Sequence, residues 1–382
     1  MTGLTATIWV QHLLGTGHVV RAAAIGRALA ARGVAVTLLS GNTIPATVDV
    51  SGLRVIGLPA CRAADATFRT FVDSQGKPLT EAWWESRVAA TATAATEPAP
   101  DIFLTEAFPF GRKPFRRELM PVIERLPSET LIAASIRDIL VKKVIPEKED
   151  WMVATANTLF DAVLHHGDET LTPLAASLHK AAQITTPVVE TGFVYDSSRL
   201  HGPESDDGHD EIIVSCGGGV AGADLVATIP EAKRLCTISR RWRVLLGRDL
   251  PADAAEKLHA AASSTLIVEA ARPDFPALLT RAALSVSMAG YNTVMDVLAS
   301  GVRAVLVPFG AEAETEQRQR ADALKAAGRA CVVAPVNLTP ETLASAVDAT
   351  LAAPVPVFTA NLDGAGKSAD TLIAHALNRR RT

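Results

Sequence analysis

Cysteine is scarce in this chain: Cys61, Cys216, Cys236 and Cys331 are scattered singly through 382 residues. That spacing argues against a disulfide framework and a zinc-type Cys/His cluster, and fits reduced thiols. An excess of charge is also lacking. Lys and Arg number 37 against 41 Asp and Glu, a net charge of −4, so the chain has no basic field for nucleic acid. No apolar run approaches the roughly 20 residues needed to span a bilayer, and no charged and apolar leader precedes Ile8. A soluble, cytoplasmic protein is the expectation. Two nucleotide-binding signatures fail as well. No Gly-x-Gly-x-x-Gly spacing is followed by an acid at the ribose position, which argues against a nicotinamide site. Ala365-Gly366-Lys367-Ser368 imitates the end of a P-loop, but Asn361 stands where its first glycine is required and no apolar strand leads in. Asp206-Asp207 lies in a polar loop and reads as solvated, so neither a divalent metal nor another cofactor is expected.

What the chain has instead is a series of strands that end in glycine turns and lead into helices. Its length exceeds one typical core and suggests two domains of similar size. Thr7 to Gln11 read as a strand, Leu14-Gly15-Thr16-Gly17-His18 as a tight turn, and Val19 to Arg32 as an Ala-rich helix stopped by Gly33. Val34 to Ser40 complete a βαβ unit with a right-handed crossover. Further strands at Ile102 to Thr105, Leu131 to Ser135, Ala162 to His165 and Val188 to Thr191 carry a first domain, 1–192, to a hinge after Gly192. A second domain, 193–360, opens with the strand from Glu211. Ser215 with Gly217, Gly218 and Gly219 would let the backbone approach a diphosphate, and the helix from about Ala223 would supply N–H donors. An ordinary glycine-rich turn is the plainer alternative.

Later in that domain a strand from Val268 leads into a proline-bracketed loop with Arg272, Asp274 as a helix cap, and Phe275. Leu284 to Ser287 form a buried strand and Ala289-Gly290 a turn. Asn292 or Thr293 caps a helix running to about Ser300, whose free N–H groups face an anion. Ala304 to Val307, Pro308-Phe309-Gly310 and a polar helix from about Glu314, containing Glu316 and Gln317, follow. Residues 361–382 hold a last helix capped by Asp363. Strand, helix, strand, helix is the pattern of an α/β protein.

These motifs resemble the GT-B glycosyltransferases of the family 28 type, the group around the peptidoglycan N-acetylglucosaminyltransferase (MurG-like), over most of the chain. The resemblance implies an α/β fold of two Rossmann-like, doubly wound parallel-sheet domains facing a cleft. The first would bind the acceptor and the second the nucleotide sugar, with the last helix packing back across the seam. It places Asp296 at the acid that holds the donor ribose, where the family usually carries Glu. Glu316-Gln317 stand at the family's Gln-Gln pair. Arg272 and Phe275 fall in the loop that meets the nucleobase, and Gly290, Asn292 and Thr293 at the donor turn. Gly15-Thr16-Gly17-His18 match the glycine-rich first loop.

His18 is a candidate general base, because imidazole titrates near neutrality and its loop sits at a strand's carboxyl end. Glu106, at another strand end, is a second candidate base, or the partner that fixes the His18 tautomer, or the partner of Arg21 or Arg137 in a salt bridge. Arg112 and Arg137 would line the acceptor pocket with Gly15, Thr16 and Gly17. Ser135-Ile-Arg-Asp and His165-His-Gly-Asp sit at later strand ends and could also line that pocket, although polar residues such as His166 and Asp168 often only cap loops there. The implied reaction is an inverting, metal-independent transfer from a nucleoside diphosphate sugar, expected to be UDP-linked, to a hydroxyl or amine. A GT-B 2-epimerase or hydrolase, or a non-catalytic nucleotide-sugar binder, is the alternative. If the acceptor were lipid-linked, Trp83-Trp84, Phe108, Phe110 and Arg112, Lys113, Arg116 and Arg117 would be candidates for a peripheral membrane contact; the plainer reading makes the aromatics core or cleft wall.

Overall fold

The computed structural model describes residues 3–13, 15–65, 70–140, 145–203, 205–216, 222–247, 250–309, 315–356 and 359–380. The chain forms two compact units, Met1–Tyr195 with Asn361–Thr382, and Asp196–Ala360.

In the first unit β1 (Thr5–Val10), α1 (Gly17–Ala31), β2 (Ala35–Ser40) and β3 (Arg54–Gly57) are followed by a small hairpin, β4 (Cys61–Ala63) and β5 (Phe71–Asp73). Next come α2 (Glu81–Thr96), β6 (Ile102–Glu106), α3 (Arg116–Ile123), β7 (Leu131–Arg137), α4 (Pro146–Leu159), β8 (Ala162–His166) and β9 (Val188–Glu190). The seven-stranded sheet has the order β3-β2-β1-β6-β7-β8-β9, and every pairing is parallel. Its strands are apolar at nearly every position because helices cover both faces. Ile8 and Leu104 point into one core with Leu29 and Leu38, whereas Trp9 and Phe103 point into the opposite core with Phe108, Phe115 and Leu119.

The second unit runs β10 (Ile212–Ser215), α5 (Ala223–Leu235), β11 (Trp242–Leu246), α6 (Ala252–Ala260), β12 (Leu266–Ala270), α7 (Phe275–Leu279) and β13 (Leu284–Ser287). It continues with α8 (Tyr291–Ser300), β14 (Ala304–Leu306), α9 (Glu316–Ala326), β15 (Cys331–Val332) and α10 (Pro340–Ala352). Its sheet, β12-β11-β10-β13-β14-β15, is also parallel throughout. The final helix α11 (Gly364–Arg379) belongs to the first unit, where Ala369, Leu372 and Ala376 join the core that α1 lines. Asp363 accepts from the Gly366 N–H and so caps it, as expected.

In both sheets the strand order reverses beside the first strand, between β1 and β6 and between β10 and β13. Ligands of doubly wound sheets bind beyond the carboxyl ends of the strands at such a switch point. Among the described residues no helix is long and apolar enough to cross a membrane.

Three local expectations change. α8 is capped by Gly290, so Asn292 and Thr293 lie in its first turn and neither side chain caps it. Asp274 occupies the cap position of α7, but its carboxylate binds the nearer Arg272 guanidinium at 2.9 and 2.7 Å and makes no cap bond. Asp207 is not a free solvated acid, because Arg243 and Arg272 hold its two oxygens at 2.9 and 2.7 Å.

Candidate functional site

The loop after β1 delivers Gly15 and Thr16 to the surface, and α1 begins at Gly17, which puts His18 and Arg21 on its first turns. Leu14 lies outside the described residues. Glu106 is the last residue of β6, the neighbour of β1, and only 1% of its surface is exposed. His18 and Glu106 therefore meet at the switch point, with Nδ1 of His18 2.8 Å from Oε1.

Arg21 donates from Nε to Oε2 at 3.2 Å and also bonds Oε1 through Nη2, while the Ser135 hydroxyl donates to Oε2 at 2.6 Å. Burial works to raise the Glu106 pKa, but the Arg21 guanidinium and the His18 hydrogen bond hold it well below the ordinary carboxylate range. The carboxylate is thus ionised, enclosed and fully engaged, which suits it to orient His18 and not to take a proton from a substrate.

His18 is 23% exposed. Burial pushes its pKa down to about 4, and Arg112 adds to that shift, with Glu106 opposing it. An ionised Glu106 can only accept, so the proton on His18 resides on Nδ1 and Nε2 carries the lone pair. This is the arrangement of a general base whose tautomer is fixed by a carboxylate.

Arg112, in the left-handed region at φ 58°, turns back over the same loop and donates from Nε to the Gln11 carbonyl at 2.7 Å. Burial lowers its pKa to about 10. Arg137 pairs with Asp138 at 3.5 Å. Asp168 closes its own turn by accepting from the Thr170 N–H at 2.9 Å. His166 is fully buried behind the dyad, 2.9 Å from Ser135 Oγ. The sequence offered Ser135 only as a strand-end residue of the acceptor pocket and Arg21 only as a salt-bridge partner of Glu106, and it did not pick out Thr191; the structure puts both Ser135 and Arg21 on the Glu106 carboxylate. The available signal was polar residues at the ends of otherwise apolar strands, with Glu106 and Ser135 directly paired in register.

Of the aromatics named for a membrane contact, Trp84, Phe108 and Phe110 are core residues, whereas Trp83 is half-buried. Phe108 is 0% exposed and Phe110 4%, and Phe108 packs on Trp151 and Phe160 with ring centroids 5.8 and 6.2 Å away. Trp84 is likewise buried, and Arg117 lies over its ring at 5.0 Å. Lys113 covers Trp151 in the same way at 4.6 Å. These bases cover aromatic faces of the core.

In the second unit Ser215 ends β10 and pairs in register with Ser287, the end of β13. Gly217, Gly218 and Gly219 lie outside the described residues. Past them, a Cβ at Gly222 would stand 2.4 Å from the Cys216 carbonyl oxygen, so position 222 admits only glycine. Gly290, by contrast, faces open space at the start of α8. Asp296, on the second turn of α8, is 3% exposed and pairs with Arg199 at 2.9 Å.

Glu316 binds Arg320 at 2.8 Å, and Gln317 accepts from the Phe309 N–H at 3.1 Å. Arg320, buried at 2% exposure, also donates to the Ala289 carbonyl at 3.0 Å and lies over the Tyr291 ring at 5.4 Å. It thereby ties α9 to the turn before α8. Arg272 is held by Asp274, Asp207 and Glu269, while Phe275 beside it is half-buried at the start of α7. The structure thus gathers His18, Glu106 and Arg112 around one loop, and Gly290, Asn292, Thr293, Asp296, Glu316 and Gln317 around α8 and α9. It leaves Arg272 engaged in a carboxylate cluster.

Residues 212–376 match the glycosyltransferase family 28 C-terminal domain. A curated relative, the UDP-N-acetylglucosamine–N-acetylmuramyl-(pentapeptide) pyrophosphoryl-undecaprenol N-acetylglucosamine transferase of Syntrophotalea carbinolica, is 40% identical over 74 residues. The match spans 19% of this chain and 21% of that relative's length. The glycotransferase of kitacinnamycin is similar in structure, with a TM-score of 0.63 at 15% identity over 99% of this chain and 97% of that one. So are the calicheamicin glycosyltransferase CalG4 (0.61, 14%, 99% and 95%) and Acinetobacter baumannii MurG (0.60, 15%, 99% and 100%). The fold is GT-B, as the sequence motifs implied.

Proposed function

We propose that this GT-B chain, with its family 28 carboxyl-terminal domain, is a glycosyltransferase that moves a sugar from a nucleoside diphosphate, UDP in our reading, to a hydroxyl or amine acceptor. The observation that carries the proposal is the contact at 2.8 Å between the His18 imidazole and the buried, ionised Glu106. A base so arranged stays neutral well below pH 7, keeps its Nε2 lone pair for the acceptor proton, and has an anion ready to stabilise the imidazolium that forms. His18 takes the catalytic role and Glu106 positions it. Gly15, Thr16, Gly17, Arg112 and Arg137 are the acceptor-side candidates.

On the donor side the open start of α8 at Gly290 supplies N–H groups and a helix dipole for the departing diphosphate, and Ser215 at the end of β10, with Gly217, Gly218 and Gly219 of the sequence after it, is a second candidate for that group. In this reading such dipoles take the place of a metal, and inversion follows from attack on the face opposite the leaving group. Asp296 would hold the ribose. Glu316 and Gln317 would meet the sugar, Asn292 and Thr293 would flank the diphosphate, and Phe275 with the backbone around Arg272 would meet the base.

Calorimetric titration of the full chain with UDP, UDP-GlcNAc, UDP-glucose, GDP and dTDP, with and without EDTA, tests this reading. One preferred nucleotide bound despite chelation supports it, and absence of binding to all five refutes it. Product analysis without an acceptor then separates a transferase from a 2-epimerase or hydrolase.

A further inference from the structure

Behind Glu106 lies a second layer of polar side chains, buried among the apolar strands of the first unit. Ser135 Oγ is 2.6 Å from Glu106 Oε2 and 2.9 Å from His166 Nε2, and His166 Nδ1 is 2.7 Å from Thr191 Oγ1. Ser135 is 1% exposed, and His166 and Thr191 are 0% exposed. These residues sit on β7, at the end of β8 and just past β9, so the line runs across three neighbouring strands.

The direction of each hydrogen bond in this line can be assigned. Glu106 is ionised and accepts only, so the single Ser135 proton goes to Oε2. Ser135 must then accept from His166, which places a proton on His166 Nε2. Burial pushes the His166 pKa down to about 3, with Arg21 adding to the shift, so this imidazole is neutral and its Nδ1 is bare. Nδ1 accepts from Thr191, whose other acceptors, the His165 and Gly192 carbonyls, are farther away at 3.2 and 3.1 Å. The opposite tautomer of His166 would leave Ser135 with one proton between two acceptors at close range, an unpaired buried contact.

At the other end of the line Nδ1–H of His18 donates to Oε1 at 2.8 Å. Arg21 Nη2 stands 3.3 Å from that nitrogen but binds the same carboxylate oxygen more closely. The charged groups that face His18 are therefore Glu106 from β6, Arg21 from its own helix and Arg112 from the loop after β6.

We propose that Ser135 and His166 are positioning residues for this reaction: all bonds in the line from Thr191 are donated toward Glu106, which fixes its carboxylate and, through it, the His18 tautomer with a bare Nε2. Hydrogen bonds aligned in one direction polarise one another, and a carboxylate held from both sides cannot swing away from the imidazole. The proposal rests on the transferase reading for its kinetic consequence but not for its hydrogen-bond directions.

Its test uses the full chain in two ways. Long-range proton–nitrogen correlation of the histidine-labelled protein at pH 7, assigned with His18→Ala and His166→Gln, is expected to show His166 protonated on Nε2 and His18 on Nδ1. A proton on Nδ1 of His166 overturns the proposal, whatever the activity. In kinetics, Ser135→Ala should lower kcat by about ten- to a hundredfold, the worth of a hydrogen bond to a charged group, and His166→Leu, which removes a neutral hydrogen bond, by about tenfold, each with the donor KM within about twofold. His166→Gln, which keeps an N–H for Ser135, should recover kcat to within about threefold of the parent. An unchanged kcat in Ser135→Ala, or equal losses in His166→Gln and His166→Leu, refutes the positioning role. If the parent protein transfers no sugar from any donor, the transferase reading fails, and the tautomers still decide the hydrogen-bond line.

Discussion

Replacing Glu106 with glutamine preserves the shape of the dyad and removes its charge. When His18 accepts a proton, the new imidazolium faces Glu106 Oε1 from Nδ1 at 2.8 Å. At an effective dielectric of about 20, that attraction is about 6 kcal/mol. Arg21 Nη2 lies 3.3 Å from the same nitrogen, and at that dielectric it opposes with about 5 kcal/mol once no carboxylate offsets it. In the wild-type site the Glu106 attraction offsets this repulsion while burial and Arg112 hold the pKa down, whereas Glu106→Gln leaves the repulsion unopposed. Even if the side chains relax enough to recover a third of the lost attraction, about 4 kcal/mol of transition-state stabilisation disappears, or about a thousandfold in kcat. The assay is nucleotide release at saturating donor and acceptor, with kcat and KM separated and folding checked by thermal melt. The donor KM should hold, because Glu106 touches no donor group in this scheme. A folded Glu106→Gln protein with kcat within about tenfold of wild type would refute the electrostatic role.

The pH profile supplies a second expectation. Because the folded state holds His18 down at about 4 against its ordinary 6.5, the acid limb of kcat/KM should lie near pH 4. Arg112→Gln, which removes a cation that lowers this pKa, should move the limb upward, and a wild-type limb near 6.5 would contradict the site. The linkage has a definite sign: as pH falls below 6.5 the unfolded chain takes up this proton first, so the His18 contribution to stability is complete above 6.5 and is lost toward 4. A further test concerns Arg87 and Glu118, both 0% exposed and paired at 2.6 Å, with Trp9 Nε1 also 2.6 Å from Glu118. Arg87→Leu should cost about 3–5 kcal/mol by stranding a buried carboxylate, while the double replacement Arg87→Leu/Glu118→Leu should cost clearly less; urea melts followed by tryptophan fluorescence measure both.

The parts legible in the sequence were those governed by local rules. Leu284–Ser287 and the helix ending at Ser300 stand where apolar runs and glycine punctuation put them, and the parallel sheets follow from alternating strands and helices. Glu106 was legible as a strand-end polar residue and His18 as the end of the glycine-rich turn, and the fold brings them together. Apart from the Arg21–Glu106 pair, which was one of the alternatives, the choice of ionic partner was not legible, because spacing does not encode it. Asp274 had both a helix end and a guanidinium within reach, and the charge-assisted bonds to Arg272 won over the cap. Asp207 found Arg243, 36 residues away, and Ser135 found Glu106, 29 residues away. Such pairs form only after the sheet has set the strand register. His166 gave a signal common to many loop caps, and only its depth beneath the sheet edge marks it as part of a line.

Asp296 poses the corresponding question in the second unit. Its Oδ1 binds Arg199 Nη1 at 2.9 Å, while Oδ2 lies 3.5 Å from Nη2, a weaker contact. Arg199 comes from the short turn Ser197–Leu200 and its side chain is 44% exposed, so water can replace the lost partner when Asp296 is removed. Asp296→Ala should therefore cost little in stability beyond the loss of a half-exposed ion pair, about 1 kcal/mol or less. If the carboxylate holds the ribose, the same change should weaken UDP binding by about 1–3 kcal/mol, or about five- to 150-fold. Arg199→Ala provides the contrast. A carboxylate that serves the nucleotide directly should leave UDP affinity within about threefold when Arg199 is lost, since the carboxylate itself is still present. A carboxylate whose only task is to anchor the Ser197–Leu200 turn should make the two variants equally weak. Calorimetry on both proteins, read beside their melting temperatures, decides between these outcomes, and equal losses would remove Asp296 from the donor site.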